Sequence, residues 1–368
     1  TNHLDLGSIQ WVENYLQSYD SAFIVVSHDR RFLDNVTNKT VEVANKQLTV
    51  YAGNYTFYQE AKASRVELQQ NAYSNQQKKI QHTERFVERF RSKATKAKQV
   101  QSRIKALEKM EQVAPVNNIP TVRFNFSMQQ SPGKVVVSLS HVNKAFGSLE
   151  ILREASAKVE RKDKIALVGA NGQGKSTLLR IIARQEPINT DAITLGHNVT
   201  IAFYAQHQLE AMNLENELLE ELKQVGLHTS ETELRKVAGM FLFTKDDVYK
   251  KIKVLSGGER SRVALAKTLL SEANFLLLDE PTNHLDMISI DILAQTLQQY
   301  QGSCIIVSHD RYFISRIANK IWYIEDKQIK EYPGTYEDYA YWQKGKKCLD
   351  ATTMEYLPHR SLTVGSHL

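Results

Sequence analysis

Two cysteines in 368 residues leave little room for covalent bracing. Cys304 and Cys348 stand far apart and outside any CxxC spacing, so they offer neither a disulfide framework nor a cysteine metal site. Long apolar runs are missing too. None approaches the roughly 18 residues that cross a bilayer, and no signal-peptide pattern opens the sequence, so a cytoplasmic protein with no membrane partner is expected. Proline is scarce, at 7 residues, and Asn54 to Ala114 contains neither proline nor glycine. A net charge of +6 is too small to name a partner unless it is concentrated in one place.

What is present begins with Gly169-Ala170-Asn171-Gly172-Gln173-Gly174-Lys175-Ser176, which matches G-x-x-x-x-G-K-[ST]. It follows the apolar run Ile165 to Val168 and precedes the apolar-periodic Leu178, Leu179, Ile181 and Ile182. A strand that feeds a helix through such a loop aims backbone N–H groups and a helix N-terminus at phosphate oxygens. Gly169, Asn171, Gly172, Gly174, Lys175, Ser176 and Thr177 are the candidate nucleotide contacts. Lys175 is placed to reach the β- and γ-phosphates, and the Ser176 hydroxyl to ligate Mg²⁺.

Further along, the continuous apolar run Phe275 to Leu278 ends in Asp279-Glu280. Open α/β sheets bind ligands at the carboxyl ends of their strands, which sets these carboxylates at the mouth of the phosphate loop. Asp279 is the candidate for the Mg²⁺ shell, and Glu280 for orienting or deprotonating a water. Two acids after a strand also make an ordinary helix cap. Leu255-Ser256-Gly257-Gly258-Glu259 ahead of a helix over Arg260 to Leu270 is a second anion site by the same dipole logic, expected to face another nucleotide across a dimer. His309, after Ile305 to Val307, either donates to a γ-phosphate or serves as a structural hydrogen-bonder. Phe146 is equally a core aromatic or a ligand contact on this reading.

The chain also repeats itself at one offset. Thr1-Asn2-His3-Leu4-Asp5 recurs as Thr282 to Asp286, Val26-Ser27-His28-Asp29-Arg30 as Val307 to Arg311, and Tyr51, Gly53 and Tyr55 as Tyr332, Gly334 and Tyr336, always 281 residues apart. A period so long reads as a duplicated domain. The sequence is therefore expected to open inside a first copy, with Ser8 to Ser18 an amphipathic helix and Ser21 to Val26 a buried strand. Without its sheet neighbours this piece should fold weakly on its own. Between Lys78 and Lys109 lie eleven basic residues, among them Arg89, Arg91, Lys93, Lys96, Lys98 and Arg103, against three acids. Three-and-four spacing of apolar residues there predicts long helices, either one rod or a hairpin turning near Arg91 to Lys96. The charge excess points to contact with nucleic-acid phosphates.

These motifs, in this order, resemble the nucleotide-binding domain of ABC ATPases. The tandem copies, the Glu280-Pro281-Thr282-Asn283-His284-Leu285-Asp286 string, Glu259 and the basic helical linker are similar to the ABC-F subfamily. The resemblance implies an α/β P-loop NTPase fold of ABC type, with a mixed sheet core and a helical signature subdomain, preceded by a long α-helical linker and the remnant of a first ABC domain. It implies residues 1–58 as that remnant, 59–114 as a basic helical hairpin, 115–133 as an extended linker, 134–344 as a complete ABC domain and 345–368 as a disordered tail. It gives Phe146 as the adenine stack, Gln206 as the Q-loop ligand of Mg²⁺ with a part in catalysis, Ser256 to Glu259 as the signature, Asp286 as part of the D-loop and His309 as the switch histidine. ATP and Mg²⁺ are the implied cofactors. A ribosome-associated translation factor is the implied setting, with the linker touching rRNA or tRNA and composite sites completed by a first domain or a second copy. The ATPase subunit of a membrane transporter and an RNA-binding module without useful turnover are the competing readings.

Overall fold

The computed structural model describes residues 4–44, 46–90, 94–110, 130–188, 192–205, 212–226, 229–244 and 246–355. These fall into two compact units, one drawn from Thr1–Arg31 with Val122–Leu368 and the other from Phe32–Thr121.

In the first unit, β5 (Lys164–Val168), β7 (Ile201–Tyr204), β8 (Phe275–Asp279), β9 (Ser303–Val307), β10 (Lys320–Glu325) and β11 (Gln328–Pro333) form a six-stranded sheet in the order β11-β10-β5-β9-β8-β7. Only the β10–β11 pairing is antiparallel. Alternate side chains of β8 serve opposite faces. Phe275 and Leu277 join one apolar cluster with Ile165, Leu167, Leu178 and Ile305, while Leu276 and Leu278 join another with Leu265, Leu293 and Ile306. A parallel strand covered on both faces reads as an unbroken apolar run, and this explains the sequence of β8. Each fully buried Leu or Phe contributes about 1.5–3 kcal/mol of transfer free energy.

One face carries α5 (Lys175–Ile182), whose Leu178, Leu179, Ile181 and Ile182 are buried. A three-stranded antiparallel sheet, in the order β4-β3-β6, packs on the same cluster through β3 (Val135–Phe146), β4 (Leu149–Glu160) and β6 (Ile193–Leu195). The opposite cluster includes residues of α6 (Leu218–Lys223), α7 (Glu231–Met240), α8 (Gly257–Leu270), α9 (Met287–Gln299) and α10 (Arg311–Ile317).

Residues 4–31 belong to this unit. Asp5 caps α1 (Leu6–Gln17) by accepting from the Ser8 N–H, as Asp286 caps α9 by accepting from the Ser289 N–H. The strand expected over Ser21 to Val26 does not form: Ile24 and Val26 are 98% and 93% exposed. Its copy, β9, is held between β5 and β8, and a strand with no ladder partner has no reason to persist.

In the second unit, β1 (Thr40–Ala44) and β2 (Gln47–Tyr51) make an antiparallel pair ahead of the 36-residue α3 (Tyr55–Phe90) and of α4 (Ala97–Glu108). The Glu42 carboxylate ties the pair to α3, accepting from Tyr58 (2.9 Å) and Lys62 (2.6 Å). The chain reverses after α3, for the Arg103 guanidinium on α4 lies 3.7 Å from the Phe86 ring centre.

Two boundaries need correcting. Residues 1–58, read as one remnant, divide between the units at 31/32. Residues 345–355, expected to be a disordered tail, continue α11 (Tyr336–Glu355). Most of the 115–133 linker, Arg91, Lys93, Gln206 and residues 356–368 lie outside the described residues. Among the described residues no helix is long and apolar enough to cross a membrane.

Candidate functional site

Strand register gathers the site. Because β5, β9 and β8 are parallel, with Leu167 beside Val307 and Val307 beside Asp279, the phosphate loop, Ser308-His309 and Asp279-Glu280 all leave the same edge of the sheet. The loop itself depends on glycine at Gly172 and Gly174, whose φ angles are +81° and +87°. At Gly174 a Cβ would also run into Ile151 Cγ2, so the start of β4 is pressed against the loop.

Lys175, on the first turn of α5, is buried and donates to the carbonyls of Gly169 (2.8 Å) and Ala170 (2.9 Å). Burial lowers its pKa, partly offset by Glu280, Asp5 and Asp279. An anion in the loop would restore the ammonium's preference for charge. One residue on, the Ser176 hydroxyl donates to Asp279 Oδ1 at 3.0 Å. A hydroxyl and a carboxylate are the hard oxygen donors Mg²⁺ takes from protein, usually one or two beside water and phosphate oxygens. These two residues therefore fit that ion.

Glu280 has φ +49°, and its N–H is held by the Val307 carbonyl at 2.9 Å. The left-handed backbone turns its carboxyl away from the line of β8, a strained arrangement that the surrounding sheet sustains. Its Oε1 is buried with no hydrogen-bond partner among the described residues, and His309 Nε2 stands 3.3 Å from it. Burial first, and then Asp279, push the Glu280 carboxyl up to about 8. Burial first, and then Lys175, hold His309 down to about 4. His309 Nε2 also lies 3.1 Å from Asn171 Oδ1 on the phosphate loop. Glu280, Asn171 and His309 thus converge, together with Lys175, Ser176 and Asp279, while Gly169 and the half-buried Thr177 flank them.

The remaining candidates lie elsewhere. Phe146, at the end of β3, is 48% exposed with Lys144 Nζ 4.8 Å from its ring centre. Ser256 and Glu259 form a capping box, with Glu259 Oε2 accepting from the Ser256 N–H at 2.7 Å. The helix α8 begins at Gly257, earlier than the Arg260 expected, so Gly257, Gly258 and Glu259 are its first turn. A Cβ on Gly258 would stand 2.7 Å from the His284 carbonyl oxygen, so glycine is what lets this turn rest on the Asn283 to Asp286 stretch. The side-chain hydrogen bonds found for Ser256 and Glu259 join them to each other.

Sequence reading missed the part played by the first repeat. Asp5 Oδ2 accepts from the Asn171 N–H at 3.1 Å, so a residue of the first copy touches the phosphate loop of the second. A cleft of about 40 Å³ nearby is lined by Ile9 with Ile290, His28 with His309 and Asp29 with Asp310, three pairs at the 281-residue offset, beside Glu280. That volume suits one or two waters. The repeat itself was the signal, since equal motifs meeting around a local two-fold touch through equal residues.

A phosphate loop at a strand–helix junction, a facing Asp-Glu and a capped signature helix define an ABC-type P-loop domain. A family model described as "ABC transporter" matches residues 152–283, and a second with the same description matches residues 41–126. The chain is 40% identical over 342 residues to the putative ATP-binding protein YdiF of Bacillus subtilis, covering 92% of this chain and 53% of that one. It is 36% identical to the probable ATP-binding protein YheS of Haemophilus influenzae (93% and 54%) and 35% identical to ABC transporter F family member 5 of Arabidopsis thaliana (96% and 51%). These homologues include ABC-F family members, and the chain is consistent with an ABC-F ATP-binding protein. It spans about half the length of these curated relatives. Among solved structures, the dimeric form of a bacterial ABC transporter cassette aligns with 54% of this chain and 98% of its own, at 22% identity and a TM-score of 0.45.

Proposed function

We propose that this chain binds and hydrolyses ATP with Mg²⁺, and that it does so as part of a ribosome-associated translation factor. The observation that carries the first half is the Ser176–Asp279 contact at 3.0 Å with Lys175, Glu280 and His309 around it. The backbone of Gly172 to Lys175 binds the phosphates, and Lys175 leaves its loop carbonyls for the β- and γ-oxygens. Ser176 and Asp279 would hold Mg²⁺, whose charge would neutralise the phosphates and polarise the bond to be cleaved. Glu280 orients the attacking water and, in its carboxylate form, takes the proton, while His309 turns Nε2 from Asn171 to the γ-phosphate. Phe146 supports the adenine, and Gln206 would be a further ligand of the metal. The capped turn Ser256 to Glu259 presents a helix N-terminus to a nucleotide held by another ABC domain, be it a first domain or a second copy. The relatives' names as ATP-binding proteins support this reading.

The ribosomal half rests on charge. Arg89 and Lys98 are exposed, and the Arg103 guanidinium stands 3.7 Å from the Phe86 ring centre, which leaves basic groups along both helices of the α3–α4 pair. Phosphate contacts of this type give affinity without sequence readout. Reversing Arg91, Lys93, Lys96 and Lys98 to Glu should weaken ribosome binding and flatten the dependence of log K on log salt by about 3, at roughly 0.7–0.9 per contact. For hydrolysis, the test is Glu280→Gln, which should keep Mg-ATP binding and lose about 10²–10⁴ in turnover. Wild-type turnover in Glu280→Gln would remove the catalytic assignment, and an unchanged salt slope would return the hairpin to an ordinary solvated pair of helices.

A further inference from the structure

Two arginines at equivalent places in the repeats cross over to each other's helix. Arg30 follows Ser27-His28-Asp29, and Arg311 follows Ser308-His309-Asp310. The turns before them are the same: the Asp29 N–H donates to Ser27 Oγ at 3.1 Å, and the Asp310 N–H to Ser308 Oγ at 3.1 Å. Arg30 reaches out of its own repeat. Its Nη2 donates to Asp291 Oδ2 (2.5 Å) and to the Met287 carbonyl (3.1 Å), both on α9 of the second repeat. Its guanidinium stands 4.3 Å from the Tyr312 ring centre, and the Tyr312 hydroxyl donates to the other Asp291 oxygen at 2.7 Å. Arg311 runs the opposite way, with Nη1 3.3 Å from Glu13 Oε1 on α1 of the first repeat.

α1 and α9 each follow the Asn-His-Leu-Asp of their repeat, so the two contacts are reciprocal in helix, though the acids differ: at the 281-residue offset Asp291 corresponds to Gln10 and Glu13 to Ala294. Both arginine side chains are 12% exposed and that of Glu13 is 6% exposed. Removing Asp291, Glu13 or Arg311 would strand the partner's charge away from water, whereas Asp291, 32% exposed, would keep water and the Tyr312 hydroxyl if Arg30 were lost. Between the two crossings lies the cleft lined by the paired Ile, His and Asp residues. Here burial raises the Asp310 carboxyl to about 6, with Asp29 adding to the rise and Arg30 opposing it.

We propose that Arg30 and Arg311 are reciprocal positioning residues that dock residues 4–31 of the first repeat on the nucleotide-binding half and so keep Asp5 on Asn171. Among the described residues segment 4–31 pairs with no strand, and Ile24 and Val26 are exposed, so packing through α1 and these two ion pairs anchors it.

Hydrogen exchange across α1 in the full 368-residue chain tests it. Arg30→Glu, Asp291→Arg, Arg311→Glu and Glu13→Arg should each speed exchange of the α1 amides by about 10-fold or more, with β8 and β9 unchanged. The swaps Arg30→Glu with Asp291→Arg, and Arg311→Glu with Glu13→Arg, should restore slow exchange. Arg30→Lys keeps the charge but loses the planar fork and the stack on Tyr312, and should fall between wild type and Arg30→Glu. If a reversal also loosens β8 and β9, Arg30→Lys carries the test, with faster α1 exchange over an unchanged sheet as the supporting result. Unchanged α1 exchange in Arg30→Glu or Arg30→Lys, or swaps no better than the single reversals, overturns the proposal.

Discussion

Lys175 and Glu280 differ in what they would cost if lost. Lys175→Ala removes a cation from the phosphate cradle, and Mg-ATP affinity should fall by at least about 10-fold, since a charge-assisted hydrogen bond contributes about 1.5–3 kcal/mol. Equilibrium binding of a fluorescent ATP analogue reads this directly. In Glu280→Gln the affinity should hold and the turnover fail, so the pair of variants separates grip from chemistry. Gly174→Ala acts through backbone alone. The +87° φ and the close approach to Ile151 Cγ2 leave no place for a methyl, and melting temperature and affinity should both drop. At this scale the glycine-rich loop between β5 and α5 and the Asp279-Glu280 strand end were legible because their patterns are local in sequence. The contacts of His309 with Asn171 and Glu280 were not, because the first joins residues 138 positions apart and both exist only through strand order.

Elements show where local propensity suffices and where it does not. α1 was readable from its apolar spacing. The start of α8, at Gly257 rather than Arg260, was missed because glycine is a poor helix former, yet the Ser256–Glu259 box accepts the cost and begins the helix there. Ser256→Ala should destabilise the protein by about 1 kcal/mol, as loss of an N-cap does, measurable as a shift in urea midpoint without change in slope. The Ser21 to Val26 stretch has every mark of a buried strand and is none. Strand character of this kind describes a seat between neighbours, and only the copy at β9 has them.

At the scale of the molecule, ligand binding to the folded state should raise stability. Mg-ATP at about 100 times its Kd adds about 2.7 kcal/mol, or roughly 5–10 °C in melting temperature for a domain of this size, followed by scanning fluorimetry. EDTA should abolish most of the shift if Ser176 and Asp279 hold the metal.

By itself, the sequence determined the ABC-type fold, the glycine-rich loop between a strand and a helix, the repeat at constant offset and the placing of basic charge on a helical stretch, because each is written in residues close together or in that repeat. Tertiary structure alone decided that Asp5 touches Asn171, that Arg30 and Arg311 exchange helices, and that the stretch 1–58 parts after Arg31. Those outcomes depend on which surfaces meet, and burial and pairing of charge are properties of the assembled interior that no stretch of chain carries alone.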